Sequence, residues 1–371
     1  GLSADGKAGT WVSDAKSQSG STLKKMAADE NALLIFGSSE LRHGQGSGFH
    51  GDTIFDGADM DPIYVGKAGY QSLTHAITLG AVGSQAANKK AVLIVSPQWF
   101  KENGVKSTAF EAAFSEEEYI ALLENPDISQ ETKDYINGRL QNIMADNETM
   151  SERVKKAREW YQPKDDNTAE QPGWLEQKKA DFHKVLLEEK NNYKVMAEAL
   201  MDGIGNHRSK ESGAKLSQAT WEQLRKEAEA EGHKLSDGNG YGMFDSVYKG
   251  TYQTLIANGK HKNPKYTLDS MEFSDLECFL SICREEGIEL LVVILPFNGY
   301  WYDYTELTAE ERSAFYEKVR CIAEDYGVQC ADLSGNEYTE YYFEDNSHPA
   351  LKGLVDLNEA IYEFYRKDKT E

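Results

Sequence analysis

Short apolar segments alternate with helix-like segments at both ends of this chain, and this alternation limits the folds open to it. In the first third, strand-like runs cover residues 33–36 and 91–96, and a helix is predicted over 72–87. In the last third, strands are predicted over 289–295 and 328–333, and helices over 273–286, 309–326 and 353–366. Strands that are apolar on both faces are typical of a parallel sheet covered by helices. The order predicts an α/β fold with a doubly wound parallel sheet.

The middle of the chain has a different composition. Between about residues 115 and 232, long charged helices are predicted, among them 151–160 and 174–200, with few strand-like runs. The charge run at 225–231 is typical of a solvated helix face. We interpret 115–232 as a helical insertion within a single domain that spans residues 1–371.

Charge and hydropathy exclude two classes of function. A net charge of −22 repels polyanions, which argues against a nucleic-acid-binding role. No apolar run approaches the roughly 18 residues that a membrane span requires. The sequence opens with Gly1 in a polar stretch, and we therefore expect that a targeting or anchoring segment has been removed from the N-terminus.

Neither a metal nor a cofactor site is indicated. The four cysteines contain no C-x-x-C pair, which argues against a zinc ribbon and a disulfide scaffold but leaves one or two bridges open. His43 and His50 flank a glycine-rich run at 44–48, yet neither H-E-x-x-H nor a phosphate-binding G-x-x-x-x-G-K-[ST] motif is present. A flexible loop is the favoured interpretation of that run.

Two short segments at opposite ends of the chain contain the parts of a serine hydrolase site. Gly37-Ser38-Ser39 follows the first predicted strand, and Asp345 precedes His348 by three positions near the C-terminus. A serine hydroxyl becomes a good nucleophile when an imidazole accepts its proton, and a carboxylate fixes the tautomer of that imidazole. A glycine before the serines permits a sharp turn at the carboxyl edge of a parallel sheet, where α/β proteins bind ligands.

Longer strings around these segments carry a family resemblance. The order of a Gly-x-Ser block first and an Asp-x-x-His block last resembles the SGNH hydrolases. Within them, four strings resemble the DltD family of teichoic acid D-alanyl transfer proteins: FGSSEL (36–41), IVSPQWF (94–100), LPFNGYWYDY (295–304) and DNSH (345–348). The segment after the histidine, PALKGL (349–354), departs from the family pattern because it lacks the expected neighbouring aromatic residues.

The resemblance implies roles for individual residues. It gives Ser39 as nucleophile, His348 as general base and then acid, and Asp345 as the orienting carboxylate, with Ser38 as the alternative nucleophile. The candidate oxyanion donors are the backbone N–H groups of the nucleophile and of Gly69, and the side-chain amide of Gln98.

Four other residues near these motifs have two interpretations each. Glu40 is either the cap of the helical segment that follows it or part of the site. The other three either belong to a packed loop or line an acceptor groove: Asn298, Trp301 and Tyr302.

By this resemblance, the chain is an extracellular SGNH-like domain that transfers D-alanine to teichoic or lipoteichoic acid. The implied partners are a D-alanyl carrier protein, a membrane acyltransferase and the teichoic acid acceptor. The implied location is the extracellular face of the cytoplasmic membrane, held by an N-terminal anchor that is absent from this sequence. Two alternatives stay open: a free-standing esterase or thioesterase, and a non-catalytic scaffold for the D-alanylation machinery.

Overall fold

A five-stranded, all-parallel sheet forms the centre of the molecule in the computed structural model, which describes residues 2–102, 104–162, 173–205, 213–259 and 265–367. The sheet order is β2-β1-β3-β4-β5. Its strands are β1 (Ala32–Phe36), β2 (Asp61–Val65), β3 (Lys90–Val95), β4 (Glu289–Ile294) and β5 (Gln329–Asp332). The fold is therefore the predicted α/β architecture, and it is consistent with the SGNH-like class.

Helices connect and cover these strands. In chain order, the α-helices of the described residues are α1 (Lys7–Thr10), α2 (Asp14–Ser17), α3 (Gly20–Ala27), α4 (Gly51–Ile54), α5 (Ser72–Val82), α6 (Ser107–Ala113), α7 (Glu116–Glu124), α8 (Gln130–Ile143), α9 (Glu148–Tyr161), α10 (Trp174–Met201), α11 (Gln218–Leu235), α12 (Asp245–Val247), α13 (Gln253–Ala257), α14 (Met271–Glu286), α15 (Gly299–Tyr304), α16 (Ala309–Asp325) and α17 (Lys352–Arg366). Short 3-10 turns cover Ser39–Leu41, Gly83–Gln85, Pro97–Trp99 and Ser334–Asn336, and a π-helical turn covers Tyr248–Tyr252.

Alternate side chains of each central strand pack into two separate cores, one on each face of the sheet. Leu34 and Phe36 of β1 pack into a core that includes residues of α3, α5, α14 and α16, whereas Leu33 and Ile35 pack into a second core with residues of α11 and α17. Because successive side chains of a strand point to opposite faces, a strand that is apolar throughout needs helices on both sides. This is the physical origin of the doubly wound arrangement.

One strand was not predicted from the sequence. No strand is predicted between β1 and α5, but this segment contains β2, which pairs in parallel with β1 from Ala32↔Asp61 to Phe36↔Val65. Pro62 disfavours a central strand because it has no N–H to donate. β2 is an edge strand, where one side needs no hydrogen bonds, and the proline is tolerated there.

The region between β3 and β4 contains helices and no strand among its described residues, with α7 to α11 close to the predicted insertion. The predicted helix 72–87 ends earlier, since α5 stops at Val82 and a 3-10 turn follows from Gly83. All four cysteines are free thiols, so the bridges left open by the sequence do not form. Among the described helices, none has both the length and the apolar character needed to cross a membrane.

Candidate active site

The candidate site lies where the winding of the sheet changes direction. β1 has β2 on one side and β3 on the other, so connections leave β1 toward opposite edges of the sheet. Such a switch point leaves a crevice at the carboxyl ends of the strands, where ligands bind in doubly wound proteins. The loops after β1, β2 and β3 contain, respectively, Ser39, Gly69 and Gln98.

Two glycines allow the serine loop to leave β1. The Gly37 N–H donates to the carbonyl of Val65 at 3.1 Å, which continues the β1–β2 pairing by one residue. The backbone of Gly66, which follows Val65, passes close to Gly37 with φ 128°, and a Cβ at Gly66 would lie 1.9 Å from the Gly37 carbonyl oxygen. Only glycine fits such a conformation and such a close approach. The 3-10 turn that begins at Ser39 follows at once.

The two neighbouring serines have different surroundings. Ser38 is buried, and its hydroxyl donates to the Lys67 carbonyl at 3.3 Å. Ser39 is half-buried, and its Oγ lies 2.7 Å from Nε2 of His348. Of the two hydroxyls, the one that meets the imidazole belongs to Ser39.

His348 is oriented by Asp345 within one tight loop. Nδ1 of His348 lies 2.7 Å from Oδ2 of Asp345, while Oδ1 of the same carboxylate accepts the backbone N–H groups of Ser347 and His348, both at 2.8 Å. The carboxylate therefore fixes both the ring and the backbone that carries it. With Nδ1–H donated to Asp345, Nε2 is the acceptor available to the Ser39 hydroxyl.

Burial and charge act in opposite directions on this pair. Burial alone raises the pKa of Asp345, but the hydrogen bond and charge of His348 and the backbone donors bring that pKa below its ordinary value. Burial alone lowers the pKa of His348, but Asp345, Glu40 and Glu344 raise it above its ordinary value. Because a general base must be neutral, the reactive form of His348 gains population as pH rises.

Glu40 lies directly behind the serines. Its Oε1 accepts the Ser38 N–H at 2.5 Å, and the side chain is buried. Burial raises the pKa of Glu40, while backbone donors and the charges of His348 and His43 act in the opposite direction. Glu40 thus holds the turn on its N-terminal side and adds negative charge near the imidazole.

His43 is a site residue that the sequence analysis missed. Its ring stacks on that of His348 with centroids 3.6 Å apart and planes 12° apart, and its Nδ1 lies 2.9 Å from Oε2 of Glu344. His43, Asp345 and His348 also bring metal-ligand atoms within 4.8 Å of one another. Stacked rings direct their nitrogen lone pairs into parallel planes, which do not converge on one tetrahedral ion, and we assign no metal here.

Three predicted substrate-binding residues lie behind the histidine loop. Asn298 is fully buried, and its Nδ2 donates to the carbonyls of Tyr241 and Asp345 at 2.9 and 3.2 Å. Tyr302 is buried and its hydroxyl accepts from the Asn346 amide at 3.3 Å. Trp301 is buried against Tyr252. In these positions the three side chains pack behind residues 345–348, and their role in substrate binding stays a prediction.

The two predicted oxyanion donors lie in loops at the same edge of the sheet. Gly69 belongs to a turn closed by the N–H of Tyr70 and the carbonyl of Lys67 at 3.0 Å, the same carbonyl that accepts from Ser38. Gln98 is half-buried in the 3-10 turn that follows β3, the strand next to β1. Their role as donors stays a prediction.

Comparisons with known proteins agree with one another. A family model described as DltD protein matches residues 9–366. Protein DltD of Bacillus subtilis (strain 168) is 33% identical over 349 residues, which cover 93% of this chain and 85% of that protein. Protein DltD of Staphylococcus aureus (strain NCTC 8325 / PS 47) is 26% identical, with coverage of 88% and 79%. Protein DltD of Lacticaseibacillus rhamnosus is 25% identical, with coverage of 94% and 81%.

Proposed function

Because the chain belongs to the DltD family, which takes part in the D-alanylation of teichoic acids, we propose that it is the acyl-transfer enzyme of that process. The proposed reaction moves a D-alanyl group from an activated ester or thioester to a teichoic acid hydroxyl through Ser39. The observation that carries this proposal is the Ser39 Oγ to His348 Nε2 distance of 2.7 Å, with Asp345 bonded to the other ring nitrogen at 2.7 Å.

In the first half-reaction, Ser39 Oγ attacks the D-alanyl carbonyl while Nε2 of His348 takes the hydroxyl proton. The tetrahedral intermediate collapses, the bond to the donor's oxygen or sulfur breaks, and His348 returns the proton to that leaving group. Ser39 then carries the D-alanyl ester. The candidate donors for the developing oxyanion are the N–H groups of Ser39 and Gly69 and the amide of Gln98.

In the second half-reaction, a teichoic acid hydroxyl takes the place of the leaving group. His348 removes its proton, the new ester bond forms, the bond between the D-alanyl carbonyl and Ser39 Oγ breaks, and the proton passes to Ser39 Oγ, which restores the enzyme. A transferase must hold this hydroxyl close and exclude water, since water at the same position gives hydrolysis.

Charge near the site suits the two substrates unequally. The carboxylates of Glu40 and Glu344 act on the His348 ring, and a D-alanyl ammonium group bound nearby is attracted by the same charges. A teichoic acid is a polyanion, and the net charge of −22 disfavours its approach. We infer that the acceptor enters where local charge is neutral or basic. We also place the domain at the extracellular face of the cytoplasmic membrane, beside a D-alanyl carrier protein and membrane acyltransferase system.

A fluorophosphonate probe tests for the activated serine. The purified chain is labelled and peptide-mapped beside the Ser39→Ala, Ser38→Ala and His348→Ala variants. Because the Ser38 hydroxyl donates to Lys67 instead of meeting the imidazole, Ser38→Ala is the matched control and should label at close to the wild-type rate. We expect an adduct on Ser39 that disappears in Ser39→Ala and His348→Ala.

Other outcomes favour the alternatives. An adduct on Ser38, or no adduct in any variant, contradicts the proposed nucleophile. Full D-alanylation of teichoic acid in cells that carry Ser39→Ala favours the scaffold. Rapid hydrolysis of small D-alanyl esters that added teichoic acid leaves unchanged favours the esterase.

A further inference from the structure

The long helix α10 presents most of its large apolar side chains to solvent, whereas it packs on the protein through Leu187, Val195 and small or polar residues. The exposed side chains are Trp174 (75%), Leu175 (58%), Phe182 (64%), Val185 (55%), Leu186 (51%), Tyr193 (77%), Met196 (52%), Leu200 (82%) and Met201 (78%). The helix buries only Ala180, Val195 and Ala199 completely. A surface helix of a globular domain normally has the opposite arrangement. Contiguous exposed apolar surface of this kind marks an interaction site.

Polar contacts hold the helix in this orientation. The Asn191 amide donates to Oε2 of Glu117 at 2.7 Å, and Oδ1 of Asn192 accepts the Ser21 hydroxyl at 3.0 Å. The indole N–H of Trp11 donates to Asp202, just past the end of the helix, at 3.0 Å. Rotation of α10 to bury its apolar face would break these bonds, so the outward face is a built feature of the fold.

The exposed residues form a straight stripe. At about 100° per residue, five of the nine, Leu175, Phe182, Leu186, Tyr193 and Leu200, fall within an arc of roughly 40°, and the other four flank this arc within about 100° of its centre. A coiled-coil partner, such as a second copy of this chain, requires apolar residues every 3.5 positions. With Leu175 at position a, a heptad places Lys178, Glu189 and Asn192 in its seam; with Leu175 at position d, it places Lys179 and Glu189 there. Either register of a coiled coil would bury two charged residues in its seam. The stripe therefore suits a flat apolar surface better than another helix.

Charge beside the stripe favours an anionic surface. Lys178, Lys179 and Lys190 lie within about 60° of its centre, against Glu189 alone among the charged residues of that arc. Lys179 is paired with Glu176, outside the arc, at 2.7 Å, so the excess positive charge comes from Lys178 and Lys190. The local charge is thus positive, although the whole chain carries −22. At physiological salt, charges more than about 8 Å away are largely screened, so the nearby lysines dominate at contact. Lysine beside an apolar stripe that carries Trp174 and Tyr193 is typical of helices that lie in a lipid headgroup region.

We propose that α10 rests in the plane of an anionic lipid bilayer and holds the domain against it. This inference rests on the proposed function, which places the domain beside the membrane. This lipid contact would act together with an N-terminal anchor. The N-terminal segment and α10 lie side by side, since the indole N–H of Trp11 donates to Asp202 at the end of α10. The neighbouring helix α2 also reaches the candidate site, since Ser17 Oγ accepts the N–H of Gly66 at 3.0 Å. These hydrogen bonds connect α10, through the N-terminal segment, to the loop that supports the candidate site.

Vesicle flotation tests this inference with a matched pair of double variants. Leu186→Ser with Met196→Ser removes two residues of the stripe, which are 51% and 52% exposed. Leu268→Ser with Met271→Ser removes the same residue types at 42% and 43% exposure outside α10. The wild-type chain is expected to bind phosphatidylglycerol vesicles more strongly than phosphatidylcholine vesicles, and less strongly as NaCl rises. The stripe variant should bind at least about 10-fold more weakly, and the control variant should match the wild type.

Three results would overturn the inference. The first is an absence of wild-type binding to both vesicle types, and the second is equal binding by the stripe and control variants. The third is a wild-type dimer in sedimentation velocity that the stripe variant dissolves, which would assign the stripe to a second copy. Fluorophosphonate labelling of Ser39 is measured on the same samples. Unchanged labelling without vesicle binding refutes the membrane contact and leaves the acyl-transfer proposal standing, whereas loss of labelling in the wild type bears on the latter alone.

Discussion

Gly66→Ala should displace the loop that carries Ser39, and so lower its reactivity, without changing any reacting group. The new Cβ would lie 1.9 Å from the Gly37 carbonyl oxygen, whereas real Cβ contacts stay above 3.0 Å, so this carbonyl has to retreat by about 1.1 Å. The φ of 128° at Gly66 adds about 1–3 kcal/mol of backbone strain for alanine. Gly37 is two residues from Ser39, and a displacement of about 1 Å in a reacting group lowers rates by about 10²-fold.

Two measurements check this reasoning. The rate of fluorophosphonate labelling at Ser39 should fall about 100-fold, and the midpoint of thermal unfolding should fall by several degrees, at about 2–4 °C per kcal/mol. Gly48→Ala is the matched control because Gly48 lies in a nearby loop with nothing within 4 Å of the added Cβ. Wild-type labelling by Gly66→Ala, with an unchanged unfolding midpoint, would refute the proposed role of this close approach.

Three further predictions concern pH and stability. In a pH–rate profile, the labelling rate should rise as His348 loses its proton, and the midpoint should lie above the ordinary histidine pKa of 6.5. Asp345→Asn should lower that midpoint and reduce the labelling rate by about 10³–10⁴-fold. Burial lowers the pKa of Lys16 from 10.5 to about 7. Between these pH values the unfolded chain binds more protons than the folded chain, so the free energy of unfolding rises with pH. Lys16→Met should abolish that rise in urea unfolding measured at pH 7, 8 and 9. Arg312 is fully buried and donates to Glu337 at 2.9 Å, so Arg312→Met should lower the free energy of unfolding by about 3–5 kcal/mol, and an unfolding curve that matches the wild type would refute this.

Most of the sheet could be predicted from local patterns, and the exception has a physical reason. The buried strands β1, β3 and β4 are continuous apolar runs, and their predicted limits agree with the structure to within one residue. β2 begins with Asp61 and Pro62, which are unfavourable in a central strand and acceptable only at an edge. Its position at the edge depends on the order of the whole sheet, which a local pattern does not contain.

Some contacts of the candidate site could likewise be predicted from local patterns, and others depend on the whole fold. Asp345 and His348 are three residues apart, and their contact follows from a single tight turn. Ser39 and His348 are 309 positions apart, so their pairing was predicted from the chemistry of the residue types and from the family strings, and not from periodicity. His43 was interpreted as part of a flexible loop, because its stacking on His348 is a tertiary contact with no sequence signal of its own.

The orientation of α10 could not be predicted either. The sequence indicates a long charged helix, and its apolar residues would normally be assigned to the core. The contacts that turn one face inward include those of Asn191 and Asn192, whose partners Glu117 and Ser21 lie on other helices. A pattern within one helix carries no information about those partners.

The central claim, transfer of a D-alanyl group through Ser39, is tested most directly by trapping the acyl-enzyme. The wild-type chain is mixed with a small D-alanyl thioester, quenched in acid and analysed by peptide mass spectrometry, and the experiment is repeated after a chase with teichoic acid. We predict a D-alanyl ester on the peptide that contains Ser39, absent in Ser39→Ala, retained in Ser38→Ala, and discharged by teichoic acid faster than by water. An adduct elsewhere, or teichoic acid that gains D-alanine at the wild-type rate with Ser39→Ala, would contradict the account.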